Sequence, residues 1–126
     1  MEFIASLDDA ALGLPFSAAV RVGDMLYLSG AIGNRPGTLT LVEGGIAAEA
    51  RQAMDNIGRV LASCGLGFAD VVKCTIMLAD MSEWRAFNAV YVGYFEPGRL
   101  PARSAFGANG LALGARAEIE AVARFV

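Results

Sequence analysis

Val71-Val72-Lys73-Cys74-Thr75-Ile76-Met77-Leu78 is the stretch on which the fold turns. Val72, Cys74, Ile76 and Leu78 fall on one side of an extended chain and Lys73, Thr75 and Met77 on the other, which is the two-residue period of a strand. The segments on either side keep a different period. From Ile46 to Cys64 the apolar positions Ile46, Ala50, Ala53, Ile57, Val60, Leu61 and Cys64 recur every three or four residues, while Glu49, Arg51, Asp55 and Arg59 lie elsewhere around the turn. That spacing predicts an amphipathic helix, stopped by Gly65. Beyond the strand, Asp80 followed by Glu83 has the form of a capping box. Trp84, Phe87, Val90, Tyr91 and Tyr94 then repeat at helical spacing until Pro97-Gly98.

Further out in both directions the pattern is again extended. Ala18 to Val22 and Met25 to Ser29 are short apolar runs separated by Gly23-Asp24, the length and chemistry of a tight hairpin. Thr38 to Val42, between the turn-rich Gly33–Gly37 and Gly44-Gly45, reads as a third strand. Arg103 to Gly107 and Ala115 to Val126 are the last two. The order is β-β-β-α-β-α-β-β without repeat or linker, a single α+β domain over residues 1–126 with two helices on one face of a mixed sheet.

Composition narrows the functional classes. Of 126 residues, 56% are hydrophobic and 18% charged, and the mean hydropathy is +0.50. So apolar a chain covers its own surface poorly, so an obligate oligomer is expected. No apolar window approaches the roughly 20 residues of a membrane span, and the chain has no basic, Leu-rich, cleavable start; the expected address is the cytoplasm. The net charge is −3 with scattered basic residues, against the basic stripe that phosphates require. There is no histidine, and Cys64 and Cys74 have neither disulfide nor zinc spacing, so no metal is expected. Without histidine the usual nucleophile–base pairs are missing as well. Lys73, the one lysine, sits mid-strand as a solvated or paired residue. Gly65-Leu66-Gly67 follows a helix, the reverse of a dinucleotide loop's context.

Arg103, Glu118, Glu120 and Asn88 remain. The short turns at Asn109-Gly110 and Leu113-Gly114 lead us to expect the last two strands side by side, with Arg103 next to the glutamates. Charge within apolar strands is costly unless paired or used. A planar guanidinium suits bidentate capture of a carboxylate, and a nearby glutamate can position water or carry a proton. The same two residues would serve equally as a structural ion pair. Asn88 fits a helix surface as well as a site, and Ser29-Gly30 fits turn chemistry as well as close approach to a ligand. The residues by themselves support a pocket for a small carboxylate, free of metal and cofactor.

Leu14-Pro15-Phe16-Ser17-Ala18-Ala19-Val20, Leu28-Ser29-Gly30, Met54-Asp55-Asn56-Ile57, Asp70–Thr75, Asn88-Ala89-Val90-Tyr91, Pro101-Ala102-Arg103-Ser104 and Ala117–Ala123 run in an order that resembles the reactive-intermediate deaminase family, the Rid or YjgF-like proteins. The resemblance extends from about Leu14 to Val126, and its Pro-Ala-Arg-Ser and Glu-Ile-Glu-Ala segments are its most specific part. It implies a chorismate-mutase-like fold assembled as a homotrimer, with strands forming a barrel inside, helices outside and clefts between subunits. It also implies cofactor-free hydrolysis of 2-imino acids and their enamines to 2-oxo acids and ammonia. Carried over, Arg103 binds the substrate carboxylate and Glu118 orients water. Ser29 and Gly30 line the cleft from the opposing subunit, Asn88 lies on a helix near it, and Phe16 and Ala105 are substrate-binding positions.

Two positions depart from the family pattern. Phe16 stands where many deaminases have tyrosine, losing a hydroxyl worth about 1–3 kcal/mol if its bond was buried. Ala105 stands where they have cysteine or threonine, and keeps its backbone N–H and C=O. A sensor of 2-oxo acids using the same cleft is the rival reading. An apolar wall of Phe16 and Phe106 would suit a larger enamine. The ribonuclease activity ascribed to some relatives fits poorly with net acidity and the absence of histidine.

Overall fold

The computed structural model describes residues 1–126. Strand β1 (Glu2–Ile4) pairs with β2 (Ala19–Val22), and β2 turns at Gly23 into β3 (Met25–Leu28). Helix α1 (Gly45–Ser63) leads to β4 (Val71–Leu78), α2 (Trp84–Tyr91), β5 (Ala102–Gly107) and β6 (Ala117–Arg124). The six strands form one open mixed sheet in the order β1-β2-β3-β6-β4-β5. Every pairing is antiparallel except β4 with β5.

The sheet order corrects the expectation that β5 and β6 are neighbours. The chain leaves β4, crosses over through α2 and re-enters parallel to β4 as β5 at the sheet edge. β6 returns antiparallel along the other side of β4, its long register running from Leu78↔Ala117 to Val71↔Ala123. The crossover through α2 makes β5 parallel to β4, and with β6 on the other side β4 separates Arg103 from Glu118.

Thr38–Val42 is also not a strand. Its pairing is limited to an isolated bridge between Asn34 and Leu41. Its backbone groups are taken up inside the loop, with Arg35 N–H donating to Thr40 O at 2.9 Å and Val42 N–H to Gly33 O at 2.9 Å. Asn56, on α1, locks the loop by donating to the carbonyls of Ile32 and Asn34, each at 3.0 Å. The third strand of the N-terminal part is instead β1.

The core lies between one sheet face and the two helices. Ala50, Ala53, Met54, Ile57 and Leu61 of α1 and Phe87 and Tyr91 of α2 meet Cys74, Ile76 and Leu78 of β4 and Ala117, Ile119, Ala121 and Ala123 of β6. Alanines on both α1 and β6 bring helix and sheet close together. Gly65, at φ +76°, ends α1 in the left-handed conformation that a side chain disfavours. A bulge between Val71 and Lys73 turns Val71 inward and leaves Val72 42% exposed, reversing the inward face expected of Val72. Glu49, expected off the core face, is buried, and its carboxylate accepts the Arg116 N–H at 2.9 Å. Asp80 caps Ser82 N–H, while Glu83 turns to Arg116 instead of closing a capping box. No helix is long and apolar enough to cross a membrane.

The opposite sheet face carries no helix. Phe3, Tyr27 and Phe106 lie on it with Val20, Met77 and Val122, and the first three are each about half exposed or more.

Candidate active site

Arg103 is the second residue of the edge strand β5 and pairs in register with Cys74. Paired residues point the same way, so its side chain lies on the helix side of the sheet, against α2. The guanidinium carbon is 4.8 Å from the centre of the Tyr91 ring and 5.9 Å from that of Trp84. No carboxylate lies within ion-pairing distance. The other arginines in ion pairs meet Asp8, Glu96, Glu49 and Glu83. The alternative of an intramolecular Arg103–Glu118 ion pair is therefore not realised.

Trp84, Asn88 and Tyr91 follow one another at helical spacing on the side of α2 that reaches toward β5. Asn88 Oδ1 and the Tyr91 hydroxyl are both buried and accept or donate no hydrogen bond. Burial raises the proton affinity of the Cys74 thiol, an effect opposed first by the Tyr91 hydroxyl and then by the Arg103 charge. The Tyr91 phenol is also pushed up, chiefly by burial and then by Cys74. The hydroxyl and the sulfur are close enough to influence each other's protonation without meeting hydrogen-bond geometry. Ala105, two residues along β5, is on the same face opposite Ile76.

The second cluster lies across the sheet. Beyond β3 the chain runs beside β6, where Ala31 and Ile119 exchange backbone hydrogen bonds of 2.8 and 2.9 Å. This register puts Gly30 under Glu118, and a Cβ on Gly30 would collide with Glu118 Oε2. Ser29 Oγ donates to the carbonyl of Ser17. Phe16, next in the chain, is 57% exposed. Glu118 pairs with Met77 and lies on the helix-free face. Its carboxyl is held above the usual carboxylate range, first by desolvation and then by the charge of Glu120 on the same face.

The expected site residues therefore form two groups. Arg103, Asn88 and Ala105 stand together on the helix side of the β5 edge. Glu118, Gly30, Ser29 and the adjoining Phe16 stand together at the junction of β3 and β6. Arg103 and Glu118 are two strands apart, about 10 Å along the sheet, and on opposite faces. Phe106 is on Glu118's face, not Arg103's, so a single chain does not join Phe16 and Phe106 in a wall beside the guanidinium. Trp84 and Tyr91 went unread as site residues because their spacing is also that of a core-facing stripe. The same i, i+4, i+7 series includes Asn88, the one signal that the stripe serves more than packing. No three carboxylate or cysteine side chains converge as a metal ion requires.

Comparison with known proteins places these groups in context. The family described as Endoribonuclease L-PSP matches residues 9–125. A Mus musculus protein named 2-iminobutanoate/2-iminopropanoate deaminase is 46% identical over 114 residues, spanning 90% of this chain and 83% of that protein. The crystal structure of RidA from the Antarctic bacterium Psychrobacter sp. superposes with a TM-score of 0.90 at 33% identity, covering 99% of this chain and 100% of that one. That of E. coli TdcF with bound serine gives 0.89 at 25% identity, with both chains fully covered. The chain belongs to the Endoribonuclease L-PSP family, the family of YjgF and the Rid proteins.

Proposed function

We propose that the protein is a 2-iminobutanoate/2-iminopropanoate-type deaminase, hydrolysing reactive 2-imino acids to 2-oxo acids and ammonia without a cofactor, in a site shared between copies of the chain. The observation that carries this reading is Arg103, a guanidinium seated on aromatic rings with no carboxylate of its own. A charge left in that state suits a ligand's carboxylate better than it suits stability. The relatives' name supplies the reaction class, and the serine bound to TdcF is a molecule with the same carboxylate next to a nitrogen-bearing carbon.

The separation of Arg103 from Glu118 supports assembly. Three copies closing with their helix-free faces inward would cover the apolar face carrying Phe3, Tyr27 and Phe106, and would bring the β5 edge of one copy to the Gly30–Glu118 junction of the next. Arg103 holds the carboxylate by two parallel charge-assisted bonds and so fixes C2. Glu118 takes a proton from water as the water oxygen bonds to C2. That proton passes to nitrogen, giving a carbinolamine; the hydroxyl proton then follows by way of the same carboxylate, the C–N bond breaks as the C=O bond forms, and ammonia leaves a 2-oxo acid. Asn88 and the backbone at Ala105 flank the substrate on Arg103's side. Ser29, Gly30 and Phe16 do so on Glu118's side.

Ammonia release, or semicarbazone trapping of 2-iminobutanoate, tests the roles. Arg103→Ala is expected to abolish acceleration with the assembly intact, and Arg103→Lys to lose most of it, because an ammonium lacks the planar fork. Glu118→Gln is expected to lose more turnover than Glu120→Gln. Unchanged kinetics in Arg103→Ala would remove the arginine from the mechanism. Binding of 2-oxobutanoate without any effect on imine hydrolysis would favour a sensor.

A further inference from the structure

We infer that Tyr91 is a positioning residue whose ring face holds the Arg103 guanidinium in register for the substrate carboxylate; the inference deepens the proposed function and rests on it. An arginine on an edge strand has a long, rotatable side chain, and a carboxylate partner that fixed it would also neutralise it. Here the fixing element is uncharged. The guanidinium carbon is 4.8 Å from the Tyr91 centroid, well within the range of a cation–π contact, and Trp84 flanks it at 5.9 Å. A ring attracts the face of the cation and leaves the in-plane N–H fork unoccupied.

Tyr91 is itself firmly packed. It is 5% exposed and packs against Phe87 at 5.8 Å and Phe95 at 4.9 Å between ring centres. Its hydroxyl lies beside the Cys74 thiol without meeting hydrogen-bond geometry, and the guanidinium lies over its ring. Cys74, paired with Arg103 across the β4–β5 ladder, is its small, buried neighbour on the same face. Trp84 is 41% exposed and less well held, so the principal contact is assigned to Tyr91.

The experiment measures 2-oxobutanoate binding by calorimetry and kcat and KM for imine hydrolysis on the full chain. Tyr91→Phe keeps the face and is expected to bind within about twofold of the wild type, since the lost hydroxyl has no partner. Progressively fluorinated phenylalanines at position 91 keep nearly the same shape while draining the ring's negative face. Binding is expected to weaken stepwise with each fluorine, by about five- to twentyfold over the series, with KM rising in parallel and kcat changing little. A purely packing role would not respond to ring electrostatics. Fluorinated proteins that bind as tightly as Tyr91→Phe would overturn the positioning role. If Arg103→Ala loses binding in the same assay, the carboxylate site itself stands despite that failure. Arg103→Ala binding like the wild type would overturn both.

Discussion

Glu118 and Glu120 share one face of β6, and the pH dependence of catalysis follows from their proximity. Burial and the neighbouring charge raise the pKa of Glu118, so on the proposed mechanism the carboxylate that serves as base forms only above the usual carboxylate range. We expect kcat/KM, corrected for uncatalysed hydrolysis, to fall on acidification through that raised value. In Glu120→Gln the like charge is gone, and the acid limb should move to lower pH. The sign for stability is opposite. The folded state holds this proton more tightly than the unfolded chain, so the group favours folding at low pH and ceases to as pH rises through the shifted range. Gly30 provides a second test at this scale. Its backbone is not in the left-handed region, so Gly30→Ala should fold, but the new methyl must displace the mobile end of Glu118. Activity should drop at least tenfold with a melting temperature within a few degrees of the wild type, as turnover assays and thermal unfolding would show.

Helix α2 has two loads, its Phe87 filling the core and its Trp84, Asn88 and Tyr91 bordering Arg103. Phe87 is fully buried, and Phe87→Ala should cost about 3–5 kcal/mol in urea unfolding, with activity lost through unfolding and not through the site. Elements like this one were legible in the sequence because a single period persists over several turns and one face is consistently apolar. α1, β4, α2 and β6 all stand close to where their patterns put them. Thr38–Val42 misled because alternating Thr and Leu is strand-like locally, whereas its conformation is decided by Asn56, a side chain on another element. β1 is three residues long, too short for any period to register. The family resemblance singled out the residues of the two groups and set Ser29-Gly30 on the opposing subunit, but the expected pairing of β5 with β6 placed Arg103 and Glu118 wrongly within one chain. Strand order depends on the α2 crossover, and local alternation carries no information about which strands become neighbours.

At the scale of the molecule, the helix-free face and the separation of the two clusters have a joint test. Refolding Arg103→Ala and Glu118→Gln together at equal amounts creates boundaries where an intact Arg103 meets an intact Glu118. About a quarter of wild-type activity should return in any closed ring assembled at random. If both residues acted within one chain, the mixture would be as inactive as its parts. A related consequence follows from the placement of Arg103 and Glu118 on opposite sides of one sheet. With the site shared between copies as proposed, folding alone would leave each newly made chain inert, and competence would begin with encounter. Specific activity should therefore fall on dilution below the association threshold, which would make the onset of the proposed imine hydrolysis a function of how much protein has accumulated.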